Sequence, residues 1–231
     1  MARKVDRQVR TTIVALTLLL TASGATAQEE PEYRLELGAG AGLVAYTGDF
    51  NGNLMKGMQP WGTLIARYRF NPRMAAAFNI GTGKIKGSTD NVKTWYPIER
   101  YEFSHSLTEA ALRFEYNFWA YGTGQEYRGA RRFVPFITLG LGTTWYGGEN
   151  KGMTVNLPIG AGIRYKIGRR LNLTAEWVMR FTMSDNLDGR KDVYGIKSSG
   201  LFKNTDCYSV LLVGISYDLW AKCKTCNNDR D

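Results

Sequence analysis

Two short stretches and one scattered set of charges hold most of the side chains able to do chemistry. The chain has one histidine, His105, followed directly by Ser106. A hydrolase built on this pair would need nucleophile and base within hydrogen-bond reach of each other. Apolar and polar residues alternate around them, as in a strand, where neighbouring side chains point to opposite faces. The pair therefore cannot meet, nothing marks another serine as a partner for His105, and no enzyme is expected. Near the end of the chain, Cys223-Lys224-Thr225-Cys226 forms a CxxC. Redox folds place that motif at a helix start, and no helix is expected here. A zinc site needs two further ligands, and none is near in sequence. A disulfide, either local or to a partner chain, suits an oxidising compartment better. The third cysteine, Cys207, opens the last apolar stretch. No cofactor or metal is expected.

The charged set is Arg34, Glu36, Arg67, Arg69, Glu109, Arg113, Glu115, Arg164, Lys166, Glu176 and Arg180. Almost every member stands between two apolar neighbours. The pattern is clearest in Met153–Ile167, whose odd positions are all apolar or small: Met153, Val155, Leu157, Ile159, Ala161, Ile163, Tyr165 and Ile167. Its even positions are Thr154, Asn156, Pro158, Gly160, Gly162, Arg164 and Lys166. Such alternation gives a strand one greasy and one polar face. The run is far longer than the usual strand of about five or six residues. It meets the roughly nine to eleven that a tilted strand needs to cross a bilayer.

One such strand cannot sit alone in lipid, because its backbone groups need partners on both edges. The same alternation predicts strands over Tyr33–Tyr46, Trp61–Phe70, Met74–Lys84, Tyr101–Phe118, Phe133–Tyr146, Leu171–Thr182 and Cys207–Trp220. That makes eight, the smallest closed barrel of outer membranes. Connections alternate between long polar loops (Thr47–Met58, Lys86–Arg100, Ser184–Asp206) and short turns such as Asn71–Arg73 and Gly168–Arg170. Trp119–Arg132 is longer than its place in that alternation calls for. Aromatic residues gather at strand ends, as interfacial girdles require. A soluble two-sheet sandwich is disfavoured, since its strands are shorter and rarely carry Arg or Glu opposite an unbroken apolar face. The expected fold is all-β: an eight-stranded antiparallel transmembrane β-barrel of the outer membrane, with both termini periplasmic.

Residues 1–27 are expected to be a cleaved signal peptide. Arg3, Lys4, Arg7 and Arg10 precede the apolar run Ile13–Leu20 and the small-residue site Ala25-Thr26-Ala27. The barrel then spans 28–220, and 221–231 form a periplasmic tail holding Cys223 and Cys226. Net charge falls from +9 to about +6 on cleavage, because the leader carries four basic residues and Asp6. An exported basic chain without a basic helix or finger spacing is not expected to bind nucleic acid.

An eight-stranded bore is only wide enough for side chains to fill it. The charged set is expected to form a salt-bridged core inside it, with inward glycines (Gly38, Gly40, Gly42, Gly140, Gly142, Gly160, Gly162) leaving room for long Arg side chains. A conducting pore is the alternative, and the narrow bore argues against it.

Particular motifs add a resemblance. They are Gly38-Ala39-Gly40 with Tyr46-Thr47-Gly48-Asp49, Phe133-Val134-Pro135-Phe136, Leu157 through Lys166, Glu176 through Thr182, and the tail cysteines. Ser184-Asp185-Asn186-Leu187-Asp188 resembles an acidic TDYLDD loop entry, but with Ser and Asn substituted and Gly189 following. In these the chain resembles the PorG-type small outer-membrane barrels of the type IX secretion machinery of Bacteroidetes. The resemblance implies a non-enzymatic part of a protein-export machine. Its partners would be outer-membrane lipid and a periplasmic ring made of a lipoprotein and its partner protein, coupled to the outer membrane by the barrel. The surfaces available for that contact are the turns and tail, which carry Arg73, Arg128, Arg131, Arg132, Arg169 and Arg170; ordinary solvated turns would look the same. A stand-alone structural or adhesive barrel acting through its long loops is the alternative. A lipopolysaccharide-modifying enzyme dependent on His105 is a third.

Overall fold

A computed structural model describes residues 32–47, 57–88, 102–123, 130–147, 151–183 and 207–221. Eight strands run in chain order: β1 Tyr33–Thr47, β2 Gln59–Arg69, β3 Met74–Ser88, β4 Glu102–Asn117, β5 Phe133–Gly147, β6 Gly152–Lys166, β7 Leu171–Thr182 and β8 Cys207–Ala221. Each pairs antiparallel with the next, and β1 pairs with β8, so the sheet closes into a barrel with no free edge. Closure gives backbone N–H and C=O groups partners along both sides of every strand, which a lipid environment demands. The first thirty residues, most of the long connections, Arg128, Cys223 and Cys226 lie outside the described residues.

Two faces follow from strand parity. Outward positions include Leu64, Phe78, Leu112, Phe114, Ile137, Leu139, Ile159, Trp177, Val213 and Ile215, all exposed. Inward positions hold the buried charges together with Thr, Asn, Gly and a group of aromatic residues. No helix among the described residues is long and apolar enough to span a membrane, and the crossing elements are strands.

The connections β2–β3, β4–β5 and β6–β7 share one end of the barrel with the N-terminal end of β1 and the C-terminal end of β8. We call this the turn end and the opposite one the loop end. At the turn end, Asn71 Oδ1 accepts from the backbone N–H of Arg73 and Met74, each at 2.8 Å, which closes the β2–β3 turn.

The β3–β4 hairpin is longer than the sequence pattern suggests. The strand expected to stop at Lys84 continues to Ser88, so the loop expected from Lys86 begins later. Ile85 is fully buried, and the inward series on β3 therefore runs past the exposed Lys84 and Lys86.

The inward glycines do less for arginines than expected. Gly140 does lie against Arg113, where an added Cβ would come within 3.0 Å of its Cγ. Others seat aromatic rings instead. A Cβ on Gly162 would stand 2.7 Å from Phe136 Cε1, and one on Gly81 2.5 Å from Trp61 Cζ2. Each ring occupies the space that a side chain at the glycine would need. Gly162→Leu is expected to cost about 1–3 kcal/mol, since Phe136 must leave its rotamer. Urea titration of barrel folding in lipid vesicles should show this, while Ala161→Leu, on the exposed face of the same strand, should be near neutral.

Candidate functional site: the lumen and the turn-end rim

The inward charges form a layered ion-pair network through the turn-end half of the bore. Arg67 lies between two carboxylates: its Nη1 donates to Glu36, its Nε to Glu115 Oε2 at 2.6 Å and its Nη2 to Glu115 Oε1 at 3.2 Å. Arg69 also donates to Glu36, and stands 3.1 Å from Asp218. Ser216 gives Glu36 a further hydrogen bond. Arg164 Nη2 donates to Glu115 Oε2 at 2.6 Å. Arg113 pairs with Glu176 at 3.0 Å and donates from Nε to Asn79 Oδ1 at 3.1 Å. Lys166 Nζ donates to Asp218 Oδ2 at 2.7 Å, and Asn172 Nδ2 to Asp218 Oδ1 at 2.9 Å. Nearer the loop end, Glu109 Oε2 accepts from Arg180 Nε at 2.5 Å and from the Tyr208 hydroxyl at 2.6 Å.

Among the described residues the buried cations are Arg67, Arg69, Arg113, Arg164, Lys166 and Arg180, and the buried carboxylates are Glu36, Glu109, Glu115, Glu176 and Asp218. Glu32, at the turn end, lies 3.6 Å from Lys166 and brings the signs into balance. Balance is required because an uncompensated buried charge costs several kcal/mol, roughly. Arg34 does not join the network: it is exposed at the start of β1, where the polar face of the strand has already left the bore. Asp218 joins it from β8, on the inward parity set by Ser216.

The expected polar core stops partway up. Toward the loop end the bore is filled by Val44, Tyr46, Trp61, Ile65, Ile85, Leu107, Tyr146, Tyr208, Val210 and Leu212, all buried against one another. The Thr144 and Tyr208 hydroxyls lie 2.8 Å apart, and Asn156 Nδ2 donates to Thr144 at 2.6 Å, at the border between the two halves.

The long β4–β5 connection caps the other end. Tyr121 is buried, with its ring 5.1 Å from the guanidinium carbon of Arg69, 5.3 Å from that of Arg164 and 5.6 Å from Lys166 Nζ. Each of these cations lies within the range at which a ring quadrupole attracts it. Burial pushes the Tyr121 phenol above its ordinary range, so it stays protonated and donates to Asn172 Oδ1 at 2.7 Å. Its backbone N–H donates to Pro72 O at 3.1 Å, and the Arg131 N–H to Ala120 O at 2.8 Å. Thr123 Oγ1 donates to Glu32 at 3.1 Å, tying the cap to the start of β1. The extra length of this connection, unexplained by sequence pattern, supplies that cap.

His105 is buried on the inward face of β4, and Ser106 is exposed on the outward one, as alternation requires. Among the described residues no group of His, Cys, Asp or Glu is arranged to hold a metal ion. At the turn-end rim, Arg73, Arg131, Arg132, Arg169 and Arg170 are exposed. Two of them rest on aromatic rings: Arg131 lies 4.6 Å over Trp119, and Arg170 5.6 Å over Tyr33. Exposed Phe70, Phe118, Trp119, Phe133 and Trp220 surround them.

Comparison with known proteins agrees with this architecture. Among solved structures, Neisserial surface protein A (NspA) matches with a TM-score of 0.51 at 14% identity, covering 80% of this chain and 97% of its own. Ail of Yersinia pestis matches at a TM-score of 0.47 and 10% identity, covering 82% of this chain and 100% of its own. OprG of Pseudomonas aeruginosa gives a TM-score of 0.47 at 11% identity, covering 84% of this chain and 99% of its own. At this identity the likeness to NspA is one of fold alone. No curated protein matches the chain. The family model for the outer membrane protein beta-barrel domain matches residues 12–197, most of the chain. With its closed, lipid-faced barrel of eight strands, the chain belongs to this outer-membrane β-barrel family and resides in the outer membrane.

Proposed function

We propose that this barrel is a non-enzymatic anchor that holds a periplasmic protein assembly against the outer membrane through its turn-end rim. The observation that carries the reading is the rim itself: exposed Arg73, Arg131, Arg132, Arg169 and Arg170, with aromatic residues around them, all at the end bearing the termini. Short turns and termini face the periplasm in barrels of this class, so the basic rim would meet periplasmic proteins. Arg and aromatic side chains are also the types enriched where protein interfaces concentrate binding energy. The filled bore supports the same reading, because it leaves the outer surfaces as the working parts. The motif resemblance names the assembly: the ring of lipoprotein and partner protein in the type IX secretion machinery of Bacteroidetes. Arg128 and the Cys223–Cys226 tail would extend the contact.

Co-purification tests it. The tagged full chain is extracted from outer membranes in mild detergent, with thiols trapped, and its partners are identified. A ring lipoprotein should be captured by the wild type and lost with Arg131→Glu, Arg132→Glu, Arg169→Glu and Arg170→Glu combined. Without reductant, a bond from Cys223 or Cys226 to the partner would add a heavier band. Unchanged capture by the charge-reversed rim would contradict the anchor. Capture of nothing, with a phenotype that depends on residues 89–101 or 184–206, would favour a stand-alone adhesive barrel.

A further inference from the structure

The geometry points to a binding surface for phosphorylated glycolipid headgroups on the outward face of the β3–β4 hairpin, formed by Lys84 and Lys86 with Ser104 and Ser106. Outward positions on β3 run Phe78, Ile80, Thr82, Lys84, Lys86, and those on β4 run Leu112, Ala110, Thr108, Ser106, Ser104. The change from apolar to polar falls at one level on both strands, because Ile80 pairs with Ala110 and Thr82 with Thr108. Thr108 also pairs with exposed Trp145 of β5, so that level carries the kind of aromatic residue that marks a membrane interface.

Lys84 and Lys86 lie beyond that level by two and four residues, about 7 and 14 Å along the strand. At a tilt near 45° this is about 5 and 10 Å along the membrane normal. The headgroup layer on each side of a bilayer is roughly 5–8 Å deep. Both ammonium groups therefore stand at or just above headgroup depth on the outside of the barrel.

Their surroundings are donors. Lys84 pairs across the sheet with Ser106 and Lys86 with Ser104, and all four side chains are exposed. The Thr82 and Thr108 hydroxyls lie 3.4 Å apart just below. The face carries no carboxylate between Thr82 and Lys86 or between Ser104 and Thr108; Glu102, the next residue of the same parity beyond Ser104, pairs with Ser88 at the tip and bounds the surface there. The inward face of the same hairpin, Ile85, His105 and Leu107, is packed into the bore, so the hairpin is held as a rigid rail. Two cations and two hydroxyls on a fixed rail at headgroup depth suit a phosphate next to sugar hydroxyls better than a protein carboxylate.

Committing to phosphorylated lipid A as the occupant rests on the orientation adopted above, with the loop end in the outer leaflet. The test does not depend on partner capture, which reads the opposite rim. The purified full chain, folded in detergent, is titrated with bis-phosphorylated lipid A, with its dephosphorylated form and with phosphatidylglycerol. Bis-phosphorylated lipid A should bind tightest, and the Lys84→Glu, Lys86→Glu variant should lose about tenfold or more of that affinity. Arg34→Glu, exposed at the opposite, turn end of the barrel, should lose none. Both lysines are exposed, so folding is not at risk, and heat-modified electrophoretic mobility verifies it. Equal binding of the dephosphorylated lipid, or by the double variant, would overturn the site. Phosphatidylglycerol binding as tightly as lipid A would overturn the glycolipid assignment. So would loss of an acidic protein partner, instead of lipid, from the double variant.

Discussion

Glu115→Ala is expected to lower the folding free energy of the barrel by about 3–5 kcal/mol, the cost of breaking a buried ion pair from one side. Glu115 is fully buried and accepts from both Arg67 and Arg164, with Arg113 3.9 Å away. Removing its charge leaves the Arg164 guanidinium with no carboxylate in hydrogen-bond contact among the described residues, where it also lies over the rings of Phe136 at 4.9 Å and Tyr121 at 5.3 Å. Glu115→Gln preserves volume and should lose almost as much, showing that charge and not packing is responsible. The double variant Arg164→Met, Glu115→Gln should cost less than the two single losses combined, because it removes both partners at once. Urea-dependent folding into vesicles, followed by tryptophan fluorescence, gives these values together with that of the Arg164→Met single variant. Additive losses would mean that Arg164 and Glu115 are not coupled.

The second large effect lies on the other face. Ile159→Arg should cost about 2–4 kcal/mol, the value for Arg near the bilayer midplane on a barrel exterior. Ile159 sits mid-strand in β6, 43% exposed, paired with Leu139 and Met179, which also face out. The cost should shrink for arginine placed toward the strand ends, for instance at Met153. A flat profile along β6 would mean that this face does not meet lipid.

Which parts of this architecture can be read from sequence depends on whether the two faces of a strand differ chemically. In β6 and β7 they differ at nearly every step, and the expected faces and bounds match the strands to within a residue or two. In Val44-Ala45-Tyr46 and in Tyr208 through Leu212 both faces are largely apolar. Parity there does not mark the inside, which is why the apolar upper half of the bore was not anticipated. The tip of β3 went unread for a related reason: lysines on an outward face look like loop until Ile85 is seen to be buried. Asp218 was legible, since it shares parity with Ser216 on a strand whose odd positions are apolar. Tyr121 was not. It acts from an irregular connection, and only tertiary packing brings its ring under Arg69 and Arg164. The rim arginines could be named from sequence because alternate connections between consecutive antiparallel strands must share one end. Their seating on Trp119 and Tyr33 could not.

A barrel that works through its surfaces, as proposed, needs a bore closed by its ion pairs, its apolar upper half and the Tyr121 cap. Planar-bilayer recording of the purified full chain tests that directly. The wild type should leave the membrane silent, with no stepwise conductance at any voltage the bilayer tolerates. Regular open steps whose size shifts with Arg113→Ala, Glu109→Ala or Tyr121→Ala would contradict it and show that the bore conducts.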